Sequence, residues 1–303
     1  MKKDLLKLMD LSREEILKIL DTADELKQKQ KNNIPHELLR GKALGMIFQK
    51  SSTRTRVSFE VGMFQLGGHA LFLSTSDLQM GRGESIKDTA RVLSRYCDGI
   101  MIRTYGQYEV EELAKYASVP VINGLTDFAH PCQVLADLMT VRERFGRLEG
   151  LKLCYIGDGN NMANSLIVGG LKCGMHVSVA TPPDYKPDSK VLEFAKNHKG
   201  SDFLLTDDIF EAARGADVLV TDVWASMGQE GEAEKRRLAF AGYRIDKALL
   251  KTAGKNAIVL HCLPAHKGEE ITEDVFEEQA QVIFDEAENR LHAQKAVMVL
   301  LMG

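Results

Sequence analysis

The sequence predicts an α/β protein of two doubly wound domains, each a mainly parallel sheet flanked by helices, with a C-terminal helix packing back on the first domain. Three observations lead there. Short apolar runs alternate with helix-length segments along most of the chain, the pattern of parallel strands joined by crossover helices. The apolar runs number nine, too many for one sheet of ordinary width and suited to two sheets of four or five. The tract Phe145-Gly146-Arg147-Leu148-Glu149-Gly150 interrupts the alternation midway, dividing the chain into residues 1–147 and 148–303.

In order, Ser12-Arg13-Glu14-Glu15 is a capping box. It opens an amphipathic helix whose apolar face carries Ile16, Ile19, Leu20, Ala23 and Leu26. Strands are expected at Ala43–Phe48, Ala70–Leu73, Gly99–Arg103, Val119–Ile122, Leu151–Ile156, His176–Ala180, Val218–Thr221, Ala257–Leu260 and Val282–Phe284. Helices are expected near 54–66, 84–97, 108–117, 131–145, 161–173, 188–198 and 207–214. A last helix, about 287–301, has no strand after it and is free to return to the first domain.

Composition narrows the function. A 303-residue chain with 44% hydrophobic and 27% charged residues can bury a sizeable core. A formal net charge of -4 gives no general field for nucleic acid, so an anionic ligand must be held by local arginines. No apolar run approaches the roughly 20 residues that span a bilayer. Asp4, Asp10, Glu14 and Glu15 break up the N-terminus, which does not read as a signal peptide. Five cysteines without a C-x-x-C pair fit reduced thiols and a cytoplasmic protein.

The polar clusters share one kind of position. Ser52-Thr53-Arg54-Thr55 follows the first strand, and Arg103 ends the third. His130-Pro131-Cys132-Gln133 follows the fourth strand, and Gly157-Asp158-Gly159-Asn160-Asn161 the fifth. Asp222 follows the seventh and His261-Cys262-Leu263-Pro264 the eighth. Open α/β sheets bind ligands outside the carboxyl ends of their strands. Ser52 to Arg56 meets a helix N-terminus, whose free N–H groups and dipole attract anions. That makes a phosphate site, or an N-cap followed by solvated arginines. Gly157-x-Gly159 invites a dinucleotide reading, but Met162 stands at the third glycine position, and the next strand ends in Thr181-Pro182-Pro183 without an acid for a ribose. Asn160 and Asn161 could hold a carboxylate and an amine, or simply suit the turn and cap. His130 and Gln133 could hydrogen-bond a small carbonyl, or His130 is structural. Cys262 reads as a pocket wall with its carbonyl toward a ligand, since adjacent His261 points the other way on a strand end. Arg290 could reach a phosphate or form a surface ion pair.

Taken together, these pieces resemble the aspartate/ornithine carbamoyltransferase family, and within it the ornithine carbamoyltransferases. The resemblance rests on Phe48 to Arg56, Asn123 to Thr126 leading to His130-Pro131-Cys132-Gln133, Gly157 to Asn161, Asp222-Val223-Trp224-Ala225-Ser226-Met227-Gly228, His261 to Pro264, and Glu286 to Arg290. They occur in family order over essentially the whole chain. One departure is Gln49, where the family usually carries Glu.

The resemblance implies a carbamoyl-phosphate domain, an ornithine domain, and neither metal nor organic cofactor. It implies that carbamoyl phosphate is held by Ser52, Thr53, Arg54, Thr55, Arg103, His130, Gln133 and Arg290, with the Cys262 and Leu263 carbonyls on its amine. Gln79 matches a residue that reaches a neighbouring subunit's site, in a homotrimer or a multiple of trimers. Ornithine falls to Asn161, Asp222, Ser226 and Met227. The implied catalytic set is Arg54, Arg103, His130, Asp222 and Cys262. The implied reaction is carbamoyl transfer to the δ-amine of ornithine, giving citrulline and phosphate. A putrescine-type carbamoyltransferase, a dinucleotide oxidoreductase and a non-catalytic member of the fold stay open at this point.

Overall fold

Ser12 starts the first helix through the capping box that the sequence predicts. Its hydroxyl accepts from the Glu15 N–H at 3.2 Å, and the Glu15 carboxylate accepts from the Ser12 N–H at 2.8 Å. The computed structural model describes residues 4–76, 78–225 and 230–303. By internal contacts it divides into one unit of Met1–Met139 with Asn289–Gly303 and a second of Thr140–Glu288.

The first unit contains helix α1 (Arg13–Lys31), β1 (Ala43–Phe48), α2 (Thr53–Gln65), β2 (His69–Ser74), α3 (Ile86–Tyr96), β3 (Gly99–Arg103), α4 (Gln107–Tyr116), β4 (Val121–Leu125) and most of α5 (Pro131–Phe145). Its sheet is parallel, in the order β2-β1-β3-β4. The chain steps from β1 to β2 on one side and to β3 on the other, so the topological switch lies between the ends of β1 and β3. Phe48 pairs with Arg103 in register. Arg103 therefore emerges beside the loop that leads to Ser52.

The second unit contains β5 (Lys152–Ile156), α6 (Asn161–Lys172), β6 (His176–Ala180), α7 (Ser189–Asn197), β7 (Phe203–Thr206), α8 (Ile209–Ala213), β8 (Val218–Thr221), α9 (Ala233–Ala239), α10 (Lys247–Thr252), β9 (Ile258–His261) and the first part of α11 (Glu273–Met302). Its parallel sheet runs β7-β6-β5-β8-β9, with the switch between β5 and β8. Ile156, Thr221 and His261 share one register row. The next residues along the three strands, Gly157, Asp222 and Cys262, leave the sheet side by side.

Two sequence expectations change. Val282–Phe284 is not a strand but part of α11, which begins at Glu273 rather than near 287. Val275, Gln279, Val282, Ile283 and Glu286 recur at helical spacing, and a three-residue apolar run was too short to separate strand from helix. Conversely, β7 was not anticipated. It is a partly exposed edge strand without the continuous apolar run of a central one. No helix among the described residues is long and apolar enough to cross a membrane.

Within the first unit, the last half of α11 lies against α2 because position 62 is glycine. A Cβ there would come 2.9 Å from Met298 Cε and 3.2 Å from Lys295 Cγ. Lys295 is fully buried in this contact. Its ammonium donates to His36 Nε2 at 2.6 Å and to Gln65 Oε1 at 2.8 Å, while His36 Nδ1 donates to the Ile34 carbonyl at 2.8 Å. Neither partner is charged, and burial pushes the amine down to about 8 from 10.5. Between those values the unfolded chain binds a proton that the native state does not, so stability rises as pH rises through the window. The contribution is on the order of 3 kcal/mol. The stability of wild type relative to Lys295→Met should therefore rise by this order between about pH 8 and pH 10.5 in urea unfolding. A pH-independent difference would contradict the assignment.

Candidate active site

At the first unit's switch point, Ser52 caps α2. Its side chain accepts from the Thr55 N–H at 3.2 Å. This fixes the first turn and buries the Thr55 hydroxyl, on which two guanidinium groups converge. Arg290 Nη2 donates to it at 3.1 Å, and Arg103 Nη1 lies at 3.5 Å. Arg290 Nη1 also donates to Gln133 Oε1 at 2.7 Å, and Gln133 Nε2 donates to Asp137 at 2.8 Å. Arg103, Gln133 and Arg290 are all buried. Arg54 stands in the same first turn, partly exposed, and Thr53 is exposed. His130, at the entry to α5, is held well below its ordinary pKa, first by burial and then by the positive charges of Arg290, Arg103 and Arg54. The structure thus brings Ser52, Arg54, Thr55, Arg103, His130, Gln133 and Arg290 together at one helix N-terminus. Gln79 is exposed on the short turn after β2.

Gln49 has a local explanation. Its amide donates to Glu109 Oε1 at 3.2 Å, and its oxygen accepts from the Thr104 hydroxyl at 2.7 Å. The hydroxyl also abuts Glu109 Oε2. A glutamate at position 49 would set a carboxylate against Glu109; the amide supplies a donor there instead.

In the second unit, Asn160 caps α6, accepting from the Met162 and Ala163 N–H groups at 2.9 and 3.3 Å. Its amide crosses the β5/β8 switch to donate to Asp222 Oδ2 at 2.9 Å. Asp222 Oδ1 accepts from the Val223 N–H at 2.8 Å and the Cys262 thiol at 3.1 Å. Asn161 is buried as the first residue of α6. Ser226 and Met227 lie outside the described residues.

The glycines of this turn serve the chain itself. A Cβ on Gly159 would fall 2.2 Å from the Lys186 carbonyl carbon, and the Gly159 N–H donates to Tyr185 O at 2.8 Å. Chain packing explains Gly159 without a pyrophosphate.

Two groups were not singled out from sequence. Arg236, in a run that reads as a solvated helix face, is buried and donates to Asp158 at 2.7 Å and to the Trp224 carbonyl at 2.9 Å. It ties α9 to the turns after β5 and β8. Burial still leaves the Asp158 carboxyl above its ordinary pKa, with Arg236 opposing the rise. The second group supports Cys262-Leu263. Leu263 has φ of 58°, a left-handed conformation costly for a branched side chain. Its N–H donates to His261 Nδ1 at 2.9 Å, so His261 carries its proton on Nε2 and donates to the buried Glu270 Oε1 at 3.0 Å. The His261 backbone N–H donates to Glu286 at 2.8 Å. Glu270 had no sequence signal beyond its spacing from His261, whereas Glu286 opens the stretch Glu286 to Arg290 on which the resemblance rests.

Comparison with known proteins matches both halves of the chain. The family model for the aspartate/ornithine carbamoyltransferase carbamoyl-P binding domain matches residues 3–143, and that for the Asp/Orn binding domain matches residues 149–301. The ornithine carbamoyltransferase of Thermococcus kodakarensis is 57% identical over 99% of this chain and 96% of its own length. A Pyrococcus furiosus relative named as the anabolic ornithine carbamoyltransferase is also 57% identical, over 99% of this chain and 96% of its own. The solved ornithine carbamoyltransferase of Pyrococcus furiosus superimposes with a TM-score of 0.96 at 58% identity, covering 99% of this chain and 97% of that one.

The electrostatics around His130 make a direct prediction. With the folded pKa below the usual 6.5, the imidazole stays neutral where the unfolded chain begins to protonate, so this residue withdraws stability as pH falls through that value. In NMR titration of the ligand-free protein, the His130 ring signals, identified by their loss in His130→Gln, should show no protonation step between about pH 8 and 6. A step centred in that interval would refute the charge cluster's effect.

Proposed function

The chain belongs to the aspartate/ornithine carbamoyltransferase family, and from that membership we propose that it transfers the carbamoyl group of carbamoyl phosphate to the δ-amine of L-ornithine, giving L-citrulline and phosphate. The observation that carries the reading furthest is the convergence of Arg103 and Arg290 on Thr55 at the N-terminus of α2, with Arg54 in the same turn. Three guanidiniums and a helix dipole suit a phosphoryl dianion. The name of the anabolic relative supports a role in arginine biosynthesis.

In this reading Ser52, Thr53, Arg54, Thr55, Arg103 and Arg290 hold the phosphate and the carbonyl oxygen. His130 and Gln133 bind the carbamoyl end, and the Cys262 and Leu263 carbonyls accept from its amine. Asn161, Asp222, Ser226 and Met227 take ornithine. A free amine of ordinary pKa, about 10.4, must lose a proton before it attacks. Its lone pair then adds to the carbamoyl carbon, the carbonyl electrons collect on oxygen, and collapse expels phosphate with the C–O bonding pair, the departing phosphate taking the remaining excess proton from the attacking nitrogen. Neutral His130 supplies an N–H to the oxygen as its charge grows, and Arg54 and Arg103 oppose that charge directly. Asp222 orients the amino acid through its ammonium group.

Steady-state assay with both substrates tests this. Citrulline should form from ornithine, with little product from putrescine or aspartate. Arg54→Lys should keep the fold yet lower kcat by at least about 100-fold, because a lysine cannot make the bidentate contact. Near-normal kcat in that variant would remove Arg54 from the charge-stabilising role.

The assembly proposed is a homotrimer or a multiple of trimers, located in the cytoplasm, where five free cysteines are at home. Exposed apolar side chains along α2 and the edge strand β2 support a subunit interface. They are Val57, Val61 and Phe64 on the helix, and Leu71 and Phe72 on the strand. Gln79 follows β2 closely and in this reading serves a neighbour's site. Arg54→Ala and Gln79→Ala, each folded and nearly inactive alone, should complement when dissociated and reassembled together. Random mixing in a cyclic ring restores roughly a quarter of the sites. Verified mixed trimers no more active than the parents would place Gln79 in its own subunit's chemistry or in none.

A further inference from the structure

In the first unit, α11 and α2 share more than the contact at Gly62. Gln294 stands one turn beyond Arg290 on α11 and is fully buried. Its amide lies between Arg290 and Ser58, a half-buried residue of α2. The resemblance gives neither Gln294 nor Ser58 a role. We propose that Gln294, working through Ser58, is a positioning residue for the phosphate site, on the reading that this site receives carbamoyl phosphate. It aims the Arg290 guanidinium and ties it to the first turn of α2.

The hydrogen bonds can run in one direction only. A guanidinium has donors and no acceptor, so the amide oxygen of Gln294 must face Arg290. There it accepts from Nη2 at 3.0 Å. The amide nitrogen then donates to Ser58 Oγ at 2.5 Å and to the Arg290 carbonyl at 3.3 Å. Ser58 Oγ is left to accept because its own hydrogen is committed. The hydroxyl donates to the Arg54 carbonyl at 2.6 Å, with the Thr55 carbonyl at 3.2 Å. A relay therefore runs from Arg290 through Gln294 and Ser58 to the backbone of Arg54. Thr55 closes it into a ring, since its hydroxyl also accepts from Arg290 Nη2, at 3.1 Å.

The chemistry of position 294 follows from this ring. Arg290 Nη2 carries two hydrogens, and Thr55 and Gln294 take one each, while Gln133 accepts from Nη1 at 2.7 Å. The rotation of the guanidinium is thereby set before an anion arrives, which is preorganisation. All three acceptors are neutral, so they orient the charge without cancelling it. A carboxylate at 294 would pair with Arg290 and compete with the anion, and it would have no hydrogen for Ser58. An apolar side chain of the same length would leave a guanidinium hydrogen and the Ser58 oxygen without this partner in a buried setting. An amide meets both neighbours.

The test uses the full-length chain, with carbamoyl phosphate binding read by calorimetry in the absence of ornithine and turnover read by steady-state assay. Gln294→Met and Gln294→Glu, shown folded by circular dichroism, should each weaken carbamoyl phosphate binding by at least about tenfold, as loss of a hydrogen bond to a charged group does. KM for carbamoyl phosphate should rise in step, while KM for ornithine stays put and kcat at saturation stays within about threefold, a split that general damage to the fold would not give. Ser58→Ala should weaken binding in the same sense. Ser58→Ala combined with Gln294→Met should do no more than Gln294→Met alone, because the two act in one relay. The proposal is overturned if wild type binds carbamoyl phosphate and the folded Gln294 variants bind it equally well, or if kcat and both KM values worsen together. Should the Gln294 variants not fold, wild-type affinity in Ser58→Ala overturns it. A wild type without saturable carbamoyl phosphate binding would overturn the functional reading and this role together.

Discussion

The first unit depends on holding like charges together. Arg103 and Arg290 are buried, share the Thr55 hydroxyl, and sit with Arg54 at a helix end that is itself positive. Such an arrangement is costly without an anion. The fold bears it by fixing each guanidinium from a different element: Arg54 from the capped turn of α2, Arg103 from the end of β3, Arg290 from α11. Gly62 is part of the same constraint. Without the close approach it permits between α2 and α11, Arg290 would not meet Thr55. An anion at this helix end would offset that repulsion.

The second unit gathers the opposite charge by the same topology. Asp158 follows β5, Asp222 follows β8, and Glu270 and Glu286 support the row at β9. Each has a specific donor: Arg236 for Asp158, Asn160 and the Cys262 thiol for Asp222, His261 for both glutamates. One switch point therefore presents cations and the other carboxylates. That division suits one substrate with a phosphate and another with ammonium groups, and it arises from a single architecture used twice.

Most of this was legible because the informative residues follow strands. Period and length located eight of the nine strands now seen, and position after a strand marked Ser52, His130, Asn160, Asp222 and Cys262. Legibility failed where the signal is tertiary. Arg236 sits among Glu234, Lys235 and Arg237 and looks like any solvated helix residue; only folding buries it against Asp158. The strand β7 carries too few apolar residues to announce an edge, and Val282–Phe284 too few to reveal their helical phase. Gln49 showed as a departure from family pattern, but its reason, the facing Glu109, lies on another element.

The Cys262 environment bears on mechanism as well as on binding. A covalent route would carry the carbamoyl group on this thiol and need a base to take its proton. His261 is adjacent in sequence, yet both its ring nitrogens are engaged elsewhere, one by the Leu263 N–H and one by Glu270. The thiol instead donates to Asp222. Its hydrogen helps fix that carboxylate rather than passing to an imidazole base. This arrangement favours direct attack by the bound amine, with the protein supplying position and charge rather than a covalent intermediate.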